Sequence, residues 1–510
     1  MRDVYKLQRE LVISFAARAL AVRKVIGNKG GKTAGVDKVV WKGGEQYYKA
    51  VQQLLKITQY PQKYKAQPLR RVEIPKPGST DKRKLGIPTM MDRAVQAVYH
   101  MAVDPVVEVN SDKNSFGFRK HRSTHDAVAY ARTRLDKKTS PNWILEADIS
   151  KCFDKINHEF LMKHTPIADK CVLKQWLKSG VMNGGIFEET TEVTPQGGII
   201  SPTLCNVTLN GLENTVRSIW PQKKGINAGV SIIRYADDII VTGKNRTILK
   251  AVKEKVEEFL LKRGLVLNQK KTRITNIQEG IDLLGFHIKR HPLRPRLNNY
   301  NGQNRVLIVK PSKKGIQKLK EKIIEATKDQ NRPMEKIIRD LNPVLRGWAE
   351  HKRISYHSQE TFITLDHFIW TRMIRWAKRK SAGSKRLAIN KWIVRTATRK
   401  WNWTAGKSLL INLAETPIIK LSLMKLDKNP YIIANKEYFE MRKQGLITSK
   451  FHAAIYKKQK NLCPVCDGNL FNGEGVEMHQ LKPQSKGGKY KLENCQALHR
   501  TCHVKVTHQT

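Results

Sequence analysis

The sequence predicts an α+β fold built from several domains, on three observations. First, β-branched and apolar residues flank two adjacent carboxylates in Ser231-Ile232-Ile233-Arg234-Tyr235-Ala236-Asp237-Asp238-Ile239-Ile240-Val241-Thr242-Gly243. This run reads as a β-hairpin with Asp237 and Asp238 at or beside its turn. Second, from about residue 310 the apolar residues recur at three- or four-residue steps, the period of amphipathic helices. Third, four of the seven cysteines lie in the last 50 residues, two of them as Cys463-Pro464-Val465-Cys466, a zinc-knuckle spacing. A chain of 510 residues is long for one core, which also favours several domains.

Charge narrows the function. Lys and Arg number 95 against 44 Asp and Glu, a formal net charge of +51. Such an excess calls for a polyanion, and nucleic acid fits best, because each neutralised phosphate releases counterions. Charge alone would also suit a ribosomal or membrane-surface role. No run approaches 18 uninterrupted apolar residues, so no membrane span is expected. The N-terminus, Met1-Arg2-Asp3-Val4-Tyr5-Lys6, lacks a secretory apolar core. The scattered cysteines do not form a disulfide framework, and a reducing intracellular compartment is expected.

Residues 1 to about 60 are basic and mostly helix-like. Further on, Trp143-Ile144-Leu145-Glu146-Ala147-Asp148 reads as an apolar strand that delivers Asp148 at its end, 89 residues before Asp237. Between them lies Thr194-Pro195-Gln196-Gly197-Gly198-Ile199-Ile200-Ser201-Pro202, a turn leading into an apolar run. Asp is a common turn residue, and Tyr235 to Asp238 alone would read equally well as a solvated turn. Carboxylates lifted clear of a sheet can also hold magnesium, which takes one or two carboxylates plus substrate phosphates.

In this order the three segments resemble a reverse transcriptase. The resemblance implies a right-hand polymerase with fingers and palm, working by two-metal phosphoryl transfer on deoxynucleoside triphosphates. Asp148, Asp237 and Asp238 would be the magnesium ligands. Phe153, five residues after Asp148, matches the steric gate against a ribose 2′ hydroxyl, or is a core Phe. Gln196 matches the family's Gln near the incoming nucleotide. Pro75-Lys76-Pro77 and Lys82-Arg83-Lys84-Leu85-Gly86-Ile87-Pro88 resemble the segment that contacts the triphosphate, with Lys76 and Arg83 as candidates, although a basic run also suits a solvated face. Asn114-Ser115-Phe116-Gly117-Phe118-Arg119 matches another finger block and puts Arg119 near template or phosphate. Gly264 to Asn268 and Leu283-Leu284-Gly285-Phe286 match later palm blocks, with Gly285 at a close backbone approach to primer.

The flanks point to one branch of that family, the proteins encoded by group II introns. Gly31-Lys32-Thr33-Ala34-Gly35-Val36-Asp37 resembles their N-terminal extension. Beyond residue 310 three helical stripes are expected: Ile316, Leu319, Ile323 and Ile324; Met334, Ile337, Ile338, Leu341, Leu345 and Trp348; Leu365, Phe368, Ile369, Met373 and Trp376. These stripes should be core, leaving the polar faces to function. Residues 310 to 400 carry 24 Lys and Arg against 8 Asp and Glu. Leu341-Asn342-Pro343-Val344-Leu345-Arg346-Gly347-Trp348-Ala349 resembles the maturase or thumb domain. Trp401 and Trp403 could stack on bases, with core packing the favoured role, and the segment after Thr416 resembles the family's DNA-binding region by position.

The final segment resembles an HNH endonuclease, a small ββα-metal fold. Cys463, Cys466 and Cys502 would bind structural zinc, with His499 or the nearby Cys495 completing the set. His479, Asn494 and His503 match the three letters of the motif, and His479 and His503 are the candidates for a catalytic divalent metal. Relatives commonly show two adjacent histidines, the second a general base, whereas this chain has His479-Gln480. Gln accepts no proton usefully near neutral pH. Either His479 is the base, or the module is a weakened nickase that still binds DNA, or it is a purely structural zinc module.

The expected domains are an RNA-binding extension (1–60), fingers and palm (61–305), thumb or maturase domain (306–400), DNA-binding region (401–455) and HNH-like zinc domain (456–510). The expected function is to bind an intron RNA, promote its splicing and copy it into target DNA during retrohoming, with bottom-strand nicking. The expected setting is the bacterial cytoplasm, on the nucleoid when acting on DNA, or an organelle. A non-catalytic RNA-folding maturase and a domesticated reverse transcriptase without an intron are the other classes.

Overall fold

The two N-terminal helices bury only part of their apolar residues, and Leu7, Leu11, Phe15 and Leu20 stay exposed. Helices α1 (Arg2–Ile13) and α2 (Phe15–Gly27) are separated by Ser14, whose extended backbone breaks the helix while its hydroxyl accepts from Ala17 N at 3.2 Å. In α2 the buried Ala17, Ala21, Val22 and Val25 share one face, and that face packs on α4. Helix α3 (Gly44–Gln59) completes the group. These elements belong to a computed structural model that describes residues 1–510 except 76–81, 184–185, 189–196, 220–227, 293–304, 356, 397–398, 407, 420, 446–449, 471–475, 484–486, 500–501, 504–505 and 507–510.

The middle of the chain alternates strands and helices. In order come β1 (Leu69–Pro75), β2 (Lys82–Ile87), α4 (Met90–Asn110), α5 (Thr124–Leu135), β3 (Trp143–Asp148), α6 (His158–His164), α7 (Lys170–Leu177), β4 (Val181–Asn183), β5 (Ile186–Glu188), α8 (Ser201–Leu209), α9 (Leu212–Ile219), β6 (Ser231–Tyr235), β7 (Asp238–Gly243), α10 (Arg246–Leu261) and β8 (Arg273–Asn276). The central sheet has the order β6-β7-β3-β8 and is antiparallel throughout. From Ile239 to Gly243 every β7 residue is buried, which explains its continuous apolar run: an inner strand covered on both faces needs no polar alternation. A second sheet, β2-β1-β4-β5, stands beside it.

Strands β9 (Ile281–Leu283), β10 (Phe286–Pro292) and β11 (Arg305–Pro311) form a third sheet, which leads into α11 (Lys313–Ala326), α12 (Met334–Lys352), α13 (Ser358–Arg379) and α14 (Lys385–Trp392). These helices share a core that includes Leu319, Ile337, Leu341, Leu345, Leu365, Ile369 and Met373. Helix α12 tolerates an internal Pro343, which costs about 3 kcal/mol in a helix. Each fully buried aliphatic side chain returns about 1.5–3 kcal/mol, and Ile337, Ile338, Leu341 and Leu345 together outweigh the proline. Of the expected stripes, Ile324 fails: it is 38% exposed, because it lies at the edge of a face already filled by Leu319 and Ile323.

The small strands β12 (Ile393–Val394), β13 (Asn402–Ala405) and β14 (Ser408–Leu409) cap this core, with Trp403 buried in it and Trp401 half exposed beside Trp370. The last elements are α15 (Lys436–Gly445), α16 (Lys450–Lys458) and the hairpin β15 (Val476–Gln480) with β16 (Cys495–His499). Among the described residues no helix is long and apolar enough to cross a membrane.

Candidate active site and metal centre

Strand pairing brings the three aspartates together. Asp148 ends β3 directly opposite Asp238, which opens β7. Tyr235 pairs with Asp238 across the hairpin, leaving Ala236 and Asp237 as a two-residue loop. Ala236 has φ +56°, a conformation a residue with a Cβ rarely adopts, so its surroundings must hold it there. Gly117 does much of this: a Cβ at that position would lie 2.2 Å from Ala236 N, so only glycine permits the approach. Phe116 N donates to Arg234 O at 2.8 Å and Arg234 N to Asn114 O at 3.0 Å, laying the 114–116 segment along the open edge of β6. The buried Arg234 guanidinium donates to Asn206 Oδ1, and Asn206 Nδ2 to Gly117 O, both at 3.1 Å.

The electrostatics suit a cation. Asp238 is an exposed residue, yet desolvation, then the charges of Asp237 and Asp148, raise its carboxyl to about 6 against the pull of Lys271. A desolvated carboxylate with two others beside it gains from a divalent ion. Lys271 Nζ lies 3.2 Å from Asp148 Oδ2 and is the cation present at the site. The segment before it runs beside Asp148, with Asn268 N donating to Asp148 O at 2.8 Å. Lys271 was not among the expected residues; its signal was the basic pair Lys270-Lys271, one residue beyond the Gly264–Asn268 block.

The other expected residues fare differently. Phe153 is partly buried and meets the exposed Phe118 edge-on at 6.2 Å between centroids, so it is not a closed core residue. Lys76 and Gln196 lie outside the described residues, as does the side chain of Arg83, whose backbone pairs with Ile74. Arg119 must be corrected. It is 8% exposed and forks onto Glu108 with two hydrogen bonds of 2.7 Å, while its third nitrogen donates to Asp112 O and Ser115 O. With four of its five N–H groups used and the side chain buried, this guanidinium braces the 112–119 turn rather than facing template or phosphate. In the Leu283–Phe286 turn, Leu284 and Gly285 both have positive φ. The close approach at Gly285 is to Lys352, whose ammonium donates to Gly285 O and lies over the Phe286 ring.

The last module holds a second centre. Among the described residues, Cys463, Cys466, His499 and Cys502 are the one set of His, Cys, Asp or Glu side chains with all ligand atoms within 4.8 Å of one another. Cys463 to Gly468 forms a knuckle, with Asp467 N donating to Cys463 O and Cys463 N to Gly468 O. A Cβ at Gly468 would come within 3.3 Å of Cys466 Sγ and 3.4 Å of His499 Cε1, so glycine leaves the donors room. Burial opposes the Cys466 thiolate, but hydrogen bonds from Gly468, Cys502, His499 and Arg23 outweigh it and hold the thiol at about 7. Burial and the neighbouring thiols Cys466 and Cys463 push Cys502 up to about 12. Three crowded sulfurs and one imidazole are the donor set of a tetrahedral zinc site. His499 Nε2 sits 2.9 Å from Asn469 O; donating there leaves Nδ1 facing the sulfurs. Cys495 is no ligand. It stands four residues before His499 on the same strand, roughly 13 Å along it.

The hairpin also carries the motif histidines. The rings of His479 on β15 and His503 lie 5.3 Å apart, and His503 Nδ1 is 3.0 Å from Glu477 Oε2. Glu477 was missed, although period-two alternation puts it on the His479 face of the strand. Burial, then His503, lowers His479 from its ordinary value. Asn494 uses its side chain on the intervening loop, accepting from Lys482 N at 2.8 Å and donating to Lys482 O and Lys489 O at 2.9 Å. Gln480 Nε2 is buried without a hydrogen-bond partner among the described residues.

Comparison with known proteins follows the same division. Residues 74–288 match the reverse transcriptase (RNA-dependent DNA polymerase) model and 1–54 the N-terminal domain of reverse transcriptase. Residues 316–396 match the group II intron maturase-specific domain, and 463–509 the HNH endonuclease. Protein YkfC of Escherichia coli is 33% identical over 58% of this chain and 84% of its own length. The group II intron-encoded protein LtrA of Lactococcus lactis is 26% identical over 53% of this chain and 54% of its own. The putative COX1/OXI3 intron 1 protein of Saccharomyces cerevisiae is 28% identical over 46% of this chain and 34% of its own. The chain thus spans about half of LtrA and most of YkfC. With the polymerase, maturase and HNH matches in one polypeptide, the chain belongs to the group II intron-encoded proteins, as a reverse transcriptase and maturase with an HNH endonuclease module.

Proposed function

We propose that this protein binds its own intron RNA, promotes its splicing, and copies it into DNA at an insertion site. The observation that carries the polymerase reading is the pairing of Asp148 with Asp238 beside the two-residue loop that bears Asp237. Magnesium held by Asp148, Asp237 and Asp238 would activate the primer 3′ hydroxyl and neutralise the leaving pyrophosphate. The protein's part is positioning. The central sheet serves as palm, β1 and β2 as fingers, and α11 to α14 as thumb, so that residues 61–305 and 306–400 enclose primer and template. Phe153 selects the sugar at the nucleotide site, which Lys76, Arg83 and Gln196 complete. Lys271 occupies Asp148 until a metal displaces it.

The flanks would supply the RNA and DNA grips. Residues 1–60 and the basic faces of the thumb hold intron RNA; residues 401–455 and the HNH-like module at 456–510 hold target DNA. In that module zinc at Cys463, Cys466, His499 and Cys502 gives the hairpin its fold. His479 and His503 face the scissile phosphate, and Asn494 keeps the loop between them in shape. The test is primer extension by the wild-type protein on an RNA template. Extension that needs magnesium and all four deoxynucleotides is expected; extension that persists after chelation contradicts the assignment.

A further inference from the structure

The zinc-binding module does not stand alone: a residue far away in the sequence reaches its ligands. Arg23 lies on α2, whose opposite face is sealed against α4, so its backbone is fixed to the polymerase core. Its Nη2 stands 3.5 Å from His499 Nδ1, 3.7 Å from Cys502 Sγ and 4.0 Å from Cys466 Sγ. One guanidinium nitrogen therefore faces three of the four donors.

We propose that Arg23 is a positioning residue that latches the zinc module onto the N-terminal helices through the zinc-bound thiolates. This rests on reading the Cys463, Cys466, His499 and Cys502 cluster as a zinc site. Three thiolates around a doubly charged zinc leave one net negative charge, placed where the module meets α2. A guanidinium answers it with charge and with N–H donors, and arginine keeps that charge at any working pH. Partners outside the ligand set orient metal ligands and tune the site. Arg23 does this from a helix that is not part of the module.

A second link runs from the same centre. Asn469, whose carbonyl meets His499 Nε2, donates its side chain to Glu440 Oε1 at 3.0 Å. Glu440 belongs to α15, which is itself fastened to the core: Arg442 bonds Asp126 at the start of α5, and Phe439 stacks on His121 at 4.9 Å. Zinc thus serves two purposes, closing the small fold and presenting a charged face to α2. Metal loss should release the module as well as unfold it. The HNH histidines would then be placed relative to the N-terminal domain by a contact that senses whether the module is metallated.

The experiment uses the full-length protein with Arg23→Lys, Arg23→Glu and Glu440→Ala variants. Zinc content, the rate of zinc transfer to a chromogenic chelator, and hydrogen exchange in the β15–β16 hairpin are measured. Wild type should hold about one zinc per chain. Arg23→Glu should keep that zinc but release it at least about tenfold faster, with faster exchange in the hairpin. Arg23→Lys should fall between, since it keeps the charge and loses the fork. Glu440→Ala should speed exchange without matching Arg23→Glu in zinc release. Wild-type protein without zinc would sink the zinc reading and the latch together. Wild type with zinc, but Arg23→Glu releasing it at the wild-type rate with unchanged exchange, would overturn the latch alone.

Discussion

Asp238 faces Asp148 across neighbouring strands of the central sheet, with Asp237 in the adjoining loop. Its neighbour Asp237 and the flanking apolar strands marked it as a candidate, but its opposition to Asp148 needed the pairing register, which no local pattern fixes. Desolvation first, then the charges of Asp237 and Asp148, raises its carboxyl to about 6. A folded-state value above the ordinary one favours the folded protein at low pH, and the contribution fades as pH rises through 6. In metal-free protein, denaturant unfolding should therefore show wild type losing stability relative to Asp238→Asn between about pH 4 and pH 6. Identical pH dependence in both would mean that desolvation and the neighbouring carboxylates do not raise Asp238. Phe153 is the second case. Its spacing from Asp148 was legible, whereas its partial exposure beside Phe118 was not. Phe153→Ala should raise ribonucleotide relative to deoxyribonucleotide incorporation in single-turnover assays, and unchanged discrimination would reduce it to packing. Arg119 misled because a basic residue in a conspicuous block reads the same from sequence whether it meets a phosphate or a buried Glu108.

At the scale of elements, periodicity carried most of the information. The helices α11 to α13 follow their apolar stripes because a surface helix must bury one face, and Ile324 departs only where that face is already full. The zinc knuckle was legible as two cysteines at fixed spacing. The choice of His499 over Cys495 was not, because it depends on which end of β16 meets the knuckle. The function proposed for this hairpin turns on one letter. His479 lies on β15 facing His503, while the neighbouring Gln480 cannot take up a proton. Nicking of a DNA duplex by the wild-type protein should be slow. His479→Ala should remove it, and Gln480→His should raise it by about a hundredfold, the lower range of general-base catalysis. Brisk wild-type cleavage that survives His479→Ala would show that the chemistry lies elsewhere in the module.

Across the whole molecule, composition already pointed to a polyanion, since +51 on 510 residues has few other outlets. What composition could not show is how the ends meet. The zinc cluster lies against α2, and α15 ties back to α5, contacts between residues more than 300 positions apart that leave no trace in local sequence. The proposed function puts polymerisation on three carboxylates and RNA binding on the basic flanks of the same chain. On this reading the carboxylates perform the copying while other surfaces hold the RNA. The most direct measurement compares the wild-type protein with the Asp237→Ala/Asp238→Ala double variant, following DNA synthesis from a primer on an RNA template and affinity for the intron RNA at the same salt. The double variant should make no DNA and bind the RNA with wild-type affinity; full extension by the double variant, or loss of RNA binding with it, would overturn the assignment of copying to these carboxylates.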